Sequence, residues 1–234
     1  MHIAINGFGR IGRLTFRRLQ TMDDVTVVAI NDLSAVDDLA YLLRYDTAQG
    51  GYPGEVSAAG DDLVVDGRTI PVFGARDAAD LGWNALDVDV VIDCTGAYLT
   101  RERATAHLDA GAGRVVLSAP PKSAGIPTVV LGVNDSSLTA EMQIISNASC
   151  TTNCLAPMVK VLDEVVGVRS GFMTTVHSVT SSQAVQDGPS RKDKRRGRAS
   201  SSNIIPTTTG ATKALGLVMP SMDGRIRGIA TRVP

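Results

Sequence analysis

The chain has 234 residues, 44% of them hydrophobic, and its 23 basic residues against 24 acidic ones leave a formal charge of −1. That length accommodates one large or two ordinary domains, and the even balance excludes the general pull toward nucleic acid or membrane that a basic excess exerts. No apolar run approaches the ~18 to 20 residues needed to span a bilayer, and HIAING enters a strand directly with no room for a signal peptide, so a cytoplasmic location is expected.

HIAIN opens the chain as a buried-strand pattern and runs into Gly7-Phe8-Gly9-Arg10-Ile11-Gly12, the helical stretch RLTFRRLQ and a second strand, VTVVAIND. Strand, glycine turn, helix and strand in that order form the dinucleotide-binding fingerprint. Gly7 permits the tight turn, Gly9 lets the backbone approach a pyrophosphate, and Gly12 allows close packing of helix on sheet. The helix start then faces the phosphates with its free N–H groups. Asp32 stands 20 positions after Gly12, where an acid at the end of the second strand binds both ribose hydroxyls and favours NAD over NADP. A glycine turn that only packs is the plain alternative.

DDLVVDGRTIPVFG reads as a hairpin with an Asp66-Gly67 turn, inserted within the nucleotide domain. DVDVVIDCTG and RVVLSAP follow as apolar strands separated by the helical LTRERATAHLDAG. This alternation predicts a doubly wound α/β domain with a parallel sheet, whose ligands sit at the carboxyl ends of the strands. Thr95, Gly96 and Ser118 are therefore further candidate cofactor contacts. Cys94, within VVIDC, is expected in the core, and His107, sharing a helix with Arg101 and Arg103, at the surface.

Cys150 falls in SNASCTTNCLAP, between a polar turn and the first turn of a predicted helix. A helix N-terminus carries partial positive charge and unpaired N–H donors, an environment that favours thiolate over thiol. His177, in TTVHSVT at the end of a β-rich run, is the candidate base, because a cysteine and a histidine distant in sequence and close in space are the usual activated-thiol arrangement. Cys154, one helical turn after Cys150, reads as a resolving thiol or, more plainly, as a small buried hydrophobe. Three cysteines with this spacing make neither a secreted disulfide framework nor a zinc site, so reduced thiols and no metal are expected. The basic run RKDKRRGR, from Arg191 to Arg198, lacks the interleaved aromatic residues of a stacking surface. It reads as a solvated loop with one or two phosphate-directed arginines. Farther on, TTTGATKALG opens a helix whose first N–H groups, at Thr209-Gly210, can bind an anion.

SNASCTTNCLAP, NIIPTTTGATKALG and the terminal RVP, together with NGFGRIGRL and the Arg76-Asp77 pair, closely resemble the phosphorylating glyceraldehyde-3-phosphate dehydrogenase family over the whole chain. The resemblance implies a Rossmann domain over residues 1–149, an α+β catalytic domain over 150–234, NAD as cofactor and a homotetramer in full-length members. It implies oxidation of glyceraldehyde 3-phosphate with inorganic phosphate. Cys150 attacks the aldehyde, His177 takes the proton, hydride passes to the nicotinamide, and phosphate releases the thioacyl group. Phe8, Arg10, Ile11 and Arg76 join the cofactor contacts. By the same resemblance Thr180 and Arg232 belong to the substrate-phosphate site, and Ser149, Thr151, Thr209 and Gly210 to the attacking-phosphate site. Arg195 is the bridging cation, with Arg196 and Arg198 as alternatives of register. Erythrose-4-phosphate dehydrogenases share the scaffold, and a noncatalytic NAD-binding or interaction protein is the alternative from another class.

Two departures from the family pattern carry expectations. Val179 and Ser182 stand near positions where members commonly carry an aromatic residue and an acid, which bears on substrate preference. Members also continue past the position of Pro234 by about a hundred residues, a domain-sized increment. The catalytic domain is accordingly expected to be incomplete, with IRGIATRV as an unpaired, apolar sheet edge.

Overall fold

A computed structural model describes residues 1–190 and 193–234, and Arg191 and Lys192, at the head of the basic run, lie outside the described residues. Packing divides the chain into two units, Met1–Val129 with Leu138–Ala148, and Val130–Ser137 with Ser149–Pro234. Segment 130–137, which reads in sequence as part of the nucleotide domain, belongs to the second unit.

The first unit contains β1 (His2–Asn6), α1 (Arg10–Leu19), β2 (Thr26–Asn31), α2 (Val36–Arg44), β3 (Val56–Ala59), β4 (Asp62–Val65) and β5 (Arg68–Phe73). It continues with β6 (Val90–Asp93), α3 (Arg101–Asp109), β7 (Arg114–Leu117) and β8 (Ile144–Ser146). These strands form one sheet in the order β3-β4-β5-β2-β1-β6-β7-β8. Six of them, from β5 to β8 across that order, run parallel, while β3, β4 and β5 form an antiparallel meander. The predicted hairpin is present: Val65 pairs with Arg68 around Asp66 (φ 51°) and Gly67 (φ 77°), the left-handed pair that a two-residue turn needs.

β1 is buried along its last four residues, because a central parallel strand is covered on both faces and so reads as a continuous apolar run. Ile5, Phe8, Phe16, Ile30 and Leu43 form one core cluster, and Ala4, Ala29, Trp83 and Val91 another. The strand order reverses direction at β1, which has β2 on one side and β6 on the other. A crevice opens at such a switch point, outside the carboxyl ends of the strands.

The second unit contains α4 (Cys150–Val166), β9 (Gly171–Ser178), β10 (Ile205–Thr207), α5 (Ala211–Val218) and β11 (Ile226–Val233). Here one expectation is corrected. The segment IRGIATRV is β11, the central strand of the order β10-β11-β9, parallel to β9 over all eight residues and antiparallel to β10. It is paired with β9 along its whole length and with β10 from Ala230 to Arg232, and the edges of the sheet are β9 and β10. Apolar surface remains exposed elsewhere, at Phe172 and Val176 on β9 and at Met158, Leu162 and Val165 on α4. The buried face of α4, carrying Thr152, Leu155, Ala156 and Val159, lies beside this exposed stripe.

The even charge of the whole chain conceals a division. The first unit has 11 Lys and Arg against 18 Asp and Glu, and the second has 12 against 6. The second unit is therefore cationic and favours anionic ligands. Among the described residues no helix is long and apolar enough to cross a membrane.

Candidate functional site

Functional side chains come together in two places, one in each unit. In the first, the carboxyl ends of β1, β2 and β6 wall a cavity of about 340 Å³ whose lining includes Asn6, Gly7, Gly9, Asp32, Arg76 and Thr95. The peptide N–H of Phe8 donates to Asp32 Oδ2 at 2.7 Å and that of Ser34 to Oδ1 at 2.9 Å. Asp32 thereby ties the glycine turn to the end of β2, and a carboxylate with about four acceptor positions keeps capacity for ribose hydroxyls. α1 starts at Arg10 with Gly9 as N-cap, no side-chain cap and no acid in its first turn, so its leading N–H donors suit an anion.

The glycines have separable physical roles. A Cβ on Gly12 would lie 2.1 Å from Gly7 O, whereas one on Gly9 would meet no atom within 4 Å. Gly12→Ala is expected to destabilise the fold by about 3 kcal/mol, since backbone cannot yield as a side chain does. Gly9→Ala is expected to leave the thermal midpoint near its original value and to weaken NAD binding at least tenfold. Thermal unfolding and calorimetric titration of the two variants check this pair of outcomes.

Several other expected contacts fall differently. The Phe8 ring is fully buried, edge-on to Phe16 at 5.5 Å, so only its backbone takes part. Arg10 directs its guanidinium to Asp46, whose carboxyl this contact and the N–H of Gln49 hold well below the usual carboxylate range. Ile11 is exposed in the first turn of α1, and Gly96 takes φ +70° in the turn after β6. Ser118 is not part of the cavity lining. Its side chain hydrogen-bonds Cys94, whose thiol burial pushes up to about 11, a shift that this bond opposes.

In the second unit Ser149 is the N-cap of α4, its Oγ accepting from the Thr152 N–H at 3.1 Å. Cys150 is the next residue, so its Cβ–Sγ arm emerges from the first turn, beside the positive end of a 17-residue helix. Its Sγ lies 3.3 Å from His177 Nε2, and His177 is delivered by β9. His177 Nδ1 lies 2.7 Å from Ser178 O and 2.7 Å from an Arg232 guanidinium nitrogen. Ser178 O calls for the ring proton on Nδ1 and the donor-only guanidinium for a lone pair there; the first tautomer is the one that presents Nε2 as an acceptor toward the thiol. Cys150, Thr151 and His177 open into a groove of about 400 Å³ between α4 and β9, which Leu155, Met158 and Met173 make largely apolar.

Arg232 comes from β11, in register with His177. Burial and then the neighbouring Arg196 lower its pKa, and the charge of Cys150 opposes them. Arg196 donates from Nε to Thr207 Oγ1 at 2.8 Å, while Arg195 turns to Asp193 at 2.9 Å, on the exposed side of the loop. Arg198 pairs with Asp187 at 3.0 Å. The geometry thus separates the three arginines of uncertain register and favours Arg196, not Arg195, as the cation facing Arg232. A guanidinium disfavoured by burial and by a neighbouring cation is a place where an anion is favourable. Thr209 Oγ1 accepts from the Ala211 N–H at 3.1 Å, and Gly210 is the N-cap of α5. Thr180 is exposed, its hydroxyl 3.0 Å from that of Ser182. Neither Thr180 nor Thr209 lines the groove beside Cys150.

Three further expectations are corrected. His107 is fully buried, with Trp83 Nε1 donating to its Nδ1 at 3.2 Å. The one hint was its spacing three residues after Ala104, with which it forms the buried face of α3. Cys154 is exposed rather than buried, and Cys94 is half-buried rather than wholly in the core. Among the described residues no group of three or more His, Cys, Asp or Glu could hold a metal ion.

A switch-point crevice with a glycine turn and an acid, joined in one chain to a thiol–imidazole pair on a helix start, defines an NAD-dependent oxidoreductase. Comparison with known proteins narrows that class. Residues 1–101 match the description "Glyceraldehyde 3-phosphate dehydrogenase, NAD binding domain" and residues 149–234 match "Glyceraldehyde 3-phosphate dehydrogenase, C-terminal domain". The chain is 51% identical over 232 residues to a glyceraldehyde-3-phosphate dehydrogenase of Haemophilus influenzae, an overlap of 99% of this chain and 68% of that relative. It is 50% identical over 233 residues to glyceraldehyde-3-phosphate dehydrogenase 2 of Bacillus subtilis, covering 99% and 68%, and 51% identical over 233 residues to glyceraldehyde-3-phosphate dehydrogenase 1 of Kluyveromyces lactis, covering 99% and 70%. The chain belongs to the glyceraldehyde-3-phosphate dehydrogenase family, a family of glycolytic oxidoreductases, and its first unit carries the family's NAD-binding domain.

Proposed function

We propose that this chain carries the chemistry of a phosphorylating aldehyde dehydrogenase, converting glyceraldehyde 3-phosphate, phosphate and NAD to 1,3-bisphosphoglycerate and NADH. The observation that supports it most directly is the 3.3 Å approach of Cys150 Sγ to His177 Nε2 at the start of α4. The Cys150 thiolate adds to the aldehyde carbon, and His177, carrying the thiol proton, hydrogen-bonds the oxygen on which negative charge develops and passes that proton to it, leaving a hemithioacetal hydroxyl and a neutral imidazole. His177 then takes the hydroxyl proton as the hemithioacetal carbon gives up hydride and becomes a thioester carbonyl. The glycine turn and Asp32 would hold NAD, which would supply the hydride acceptor. A phosphate oxygen adds to the thioester carbon, the carbon–sulfur bond breaks, and Cys150 leaves as thiolate, restoring the site. Arg232 and Arg196 provide the cationic surroundings that two phosphate groups need, with Thr180 assigned to the substrate phosphate. Ser149, Thr151 and the Thr209-Gly210 helix start are assigned to the attacking one.

Comparing glyceraldehyde 3-phosphate with erythrose 4-phosphate at equal enzyme concentration tests the substrate assignment. Higher kcat/KM for the three-carbon aldehyde is expected, and the reverse order would assign the chain to the erythrose-4-phosphate enzymes. The exposed stripe Met158, Leu162 and Val165 on α4 supports a second reading, in which this 234-residue chain binds NAD without turnover. Calorimetric NAD binding together with absent NADH formation would select it.

A further inference from the structure

Beneath the dinucleotide cavity lies a polar cluster to which the thiol chemistry assigns no part. Asn6, Asp93 and His107 are each 0–1% exposed. Asn6 Nδ2 donates to Asp93 Oδ2 at 2.7 Å, and His107 Nε2 stands 3.3 Å from Asn6 Nδ2 and 3.6 Å from Asp93 Oδ2. On the far side of the ring, Trp83 Nε1 donates to Nδ1. An indole N–H can only donate, so Nδ1 accepts and the ring proton sits on Nε2, on the side of Asp93 Oδ2; the Asn6 amide nitrogen, itself a donor, makes no hydrogen bond to it.

Each partner leads from this cluster to a wall of the cavity. Asn6 immediately precedes Gly7, and its Oδ1 accepts from Asn31 Nδ2 at 2.7 Å. Asn31 in turn binds both backbone groups of Ala75, at 2.9 and 3.0 Å. The carboxylate of Asp93 accepts from Thr95 Oγ1 at 3.0 Å, and that hydroxyl accepts from the Ala97 N–H at 3.0 Å, fixing the turn after β6. Packing alone would be served by an apolar residue, since desolvating a histidine and a carboxylate is costly. What such a cluster adds is direction, because each hydrogen bond sets the orientation of the next.

We propose that His107 is a positioning residue for the cofactor, acting through its Nε2 side on Asp93, and through Asp93 on Asn6 and Thr95, to fix the strand ends that wall the NAD cavity. This rests on the assignment of that cavity to NAD. The test separates the two faces of the ring. His107→Gln places an amide N–H near the position of Nε2 and gives up the bond to Trp83, whereas His107→Asn places an acceptor near Nδ1 and gives up the contact with Asp93. Calorimetric titration of NAD into the 234-residue chain is expected to show affinity within about threefold of the original for Gln and about tenfold weaker or worse for Asn, a loss of about 1.4 kcal/mol relative to the unmutated chain. Thermal midpoints recorded on the same samples are expected not to rank the variants in that way. A structural role alone would make affinity follow the midpoint in both, and that result, or unchanged affinity in both, overturns the proposal. If His107→Asn does not fold, Trp83→Phe provides the second variant. It keeps the ring packing and removes the donor that fixes the tautomer, and its NAD affinity is expected to fall about threefold or more, unchanged affinity counting against the proposal. An unmutated chain that fails to bind NAD would overturn the cofactor assignment and this inference together. Binding by the unmutated chain with no difference between Gln and Asn would overturn this inference alone.

Discussion

Cys150→Ser lowers the rate of NADH formation by at least about 10⁴-fold, the loss expected when a covalent nucleophile is removed and only binding and orientation remain. The hydroxyl is close in size, so the fold and NAD binding are retained, and steady-state assays beside a calorimetric NAD titration separate the two effects. His177→Asn is expected to lose less, about 10² to 10⁴-fold, because it removes proton transfer and the hydrogen bond to the developing oxyanion while leaving the thiol. The ordering follows from the 3.3 Å contact and from the position of Cys150 at the head of α4, where the unpaired N–H donors of the first turn remain when the imidazole is removed. Equal losses in the two variants would show that the thiol depends wholly on the imidazole. Retained turnover in Cys150→Ser would remove the nucleophile from the account.

Arg196→Ala is expected to cost kcat/KM about 10² to 10³-fold, with a rise in the KM for phosphate, while Arg195→Ala changes either constant by less than about twofold. Arg196 reaches across to Thr207, lies close enough to Arg232 to lower its pKa, and belongs to the cationic unit. Removing a charge that contacts a phosphate group typically costs about 2 to 5 kcal/mol. Arg195 is spent on Asp193 in solvent, where an ion pair is worth little. Steady-state titration of phosphate with each variant checks both halves, and an Arg195 effect equal to that of Arg196 would contradict the geometric assignment.

The contrast between these two neighbours shows where sequence stops being informative. Arg195 and Arg196 sit in an irregular basic run with no periodicity, so which one turns inward depends on Asp193 and Thr207, contacts that composition does not encode. The glycine turn was legible because its constraint is local: Gly7, Gly12 and Asp32 lie within one strand–helix–strand unit, and each answers a steric demand inside it. Cys150 was legible for the same reason, with Ser149 supplying the cap one residue earlier. The burial of His107 was hidden by the arginines that share its helix, and its partners Asn6 and Trp83 lie 101 and 24 positions away. The central position of β11 was hidden likewise. An apolar strand pattern announces a strand but not its place in the sheet, which is decided by long-range pairing to β9 and β10.

One measurement bears most directly on the central claim that Cys150 forms a thioacyl intermediate released by phosphate. The 234-residue chain is mixed with NAD and excess glyceraldehyde 3-phosphate in phosphate-free buffer, and NADH is followed through the first turnover. The expected result is a burst of about one NADH per active site, then a stall, with continuous turnover restored when inorganic phosphate is added and no burst in Cys150→Ser. Steady NADH formation without phosphate, or a burst of equal size in Cys150→Ser, would contradict it.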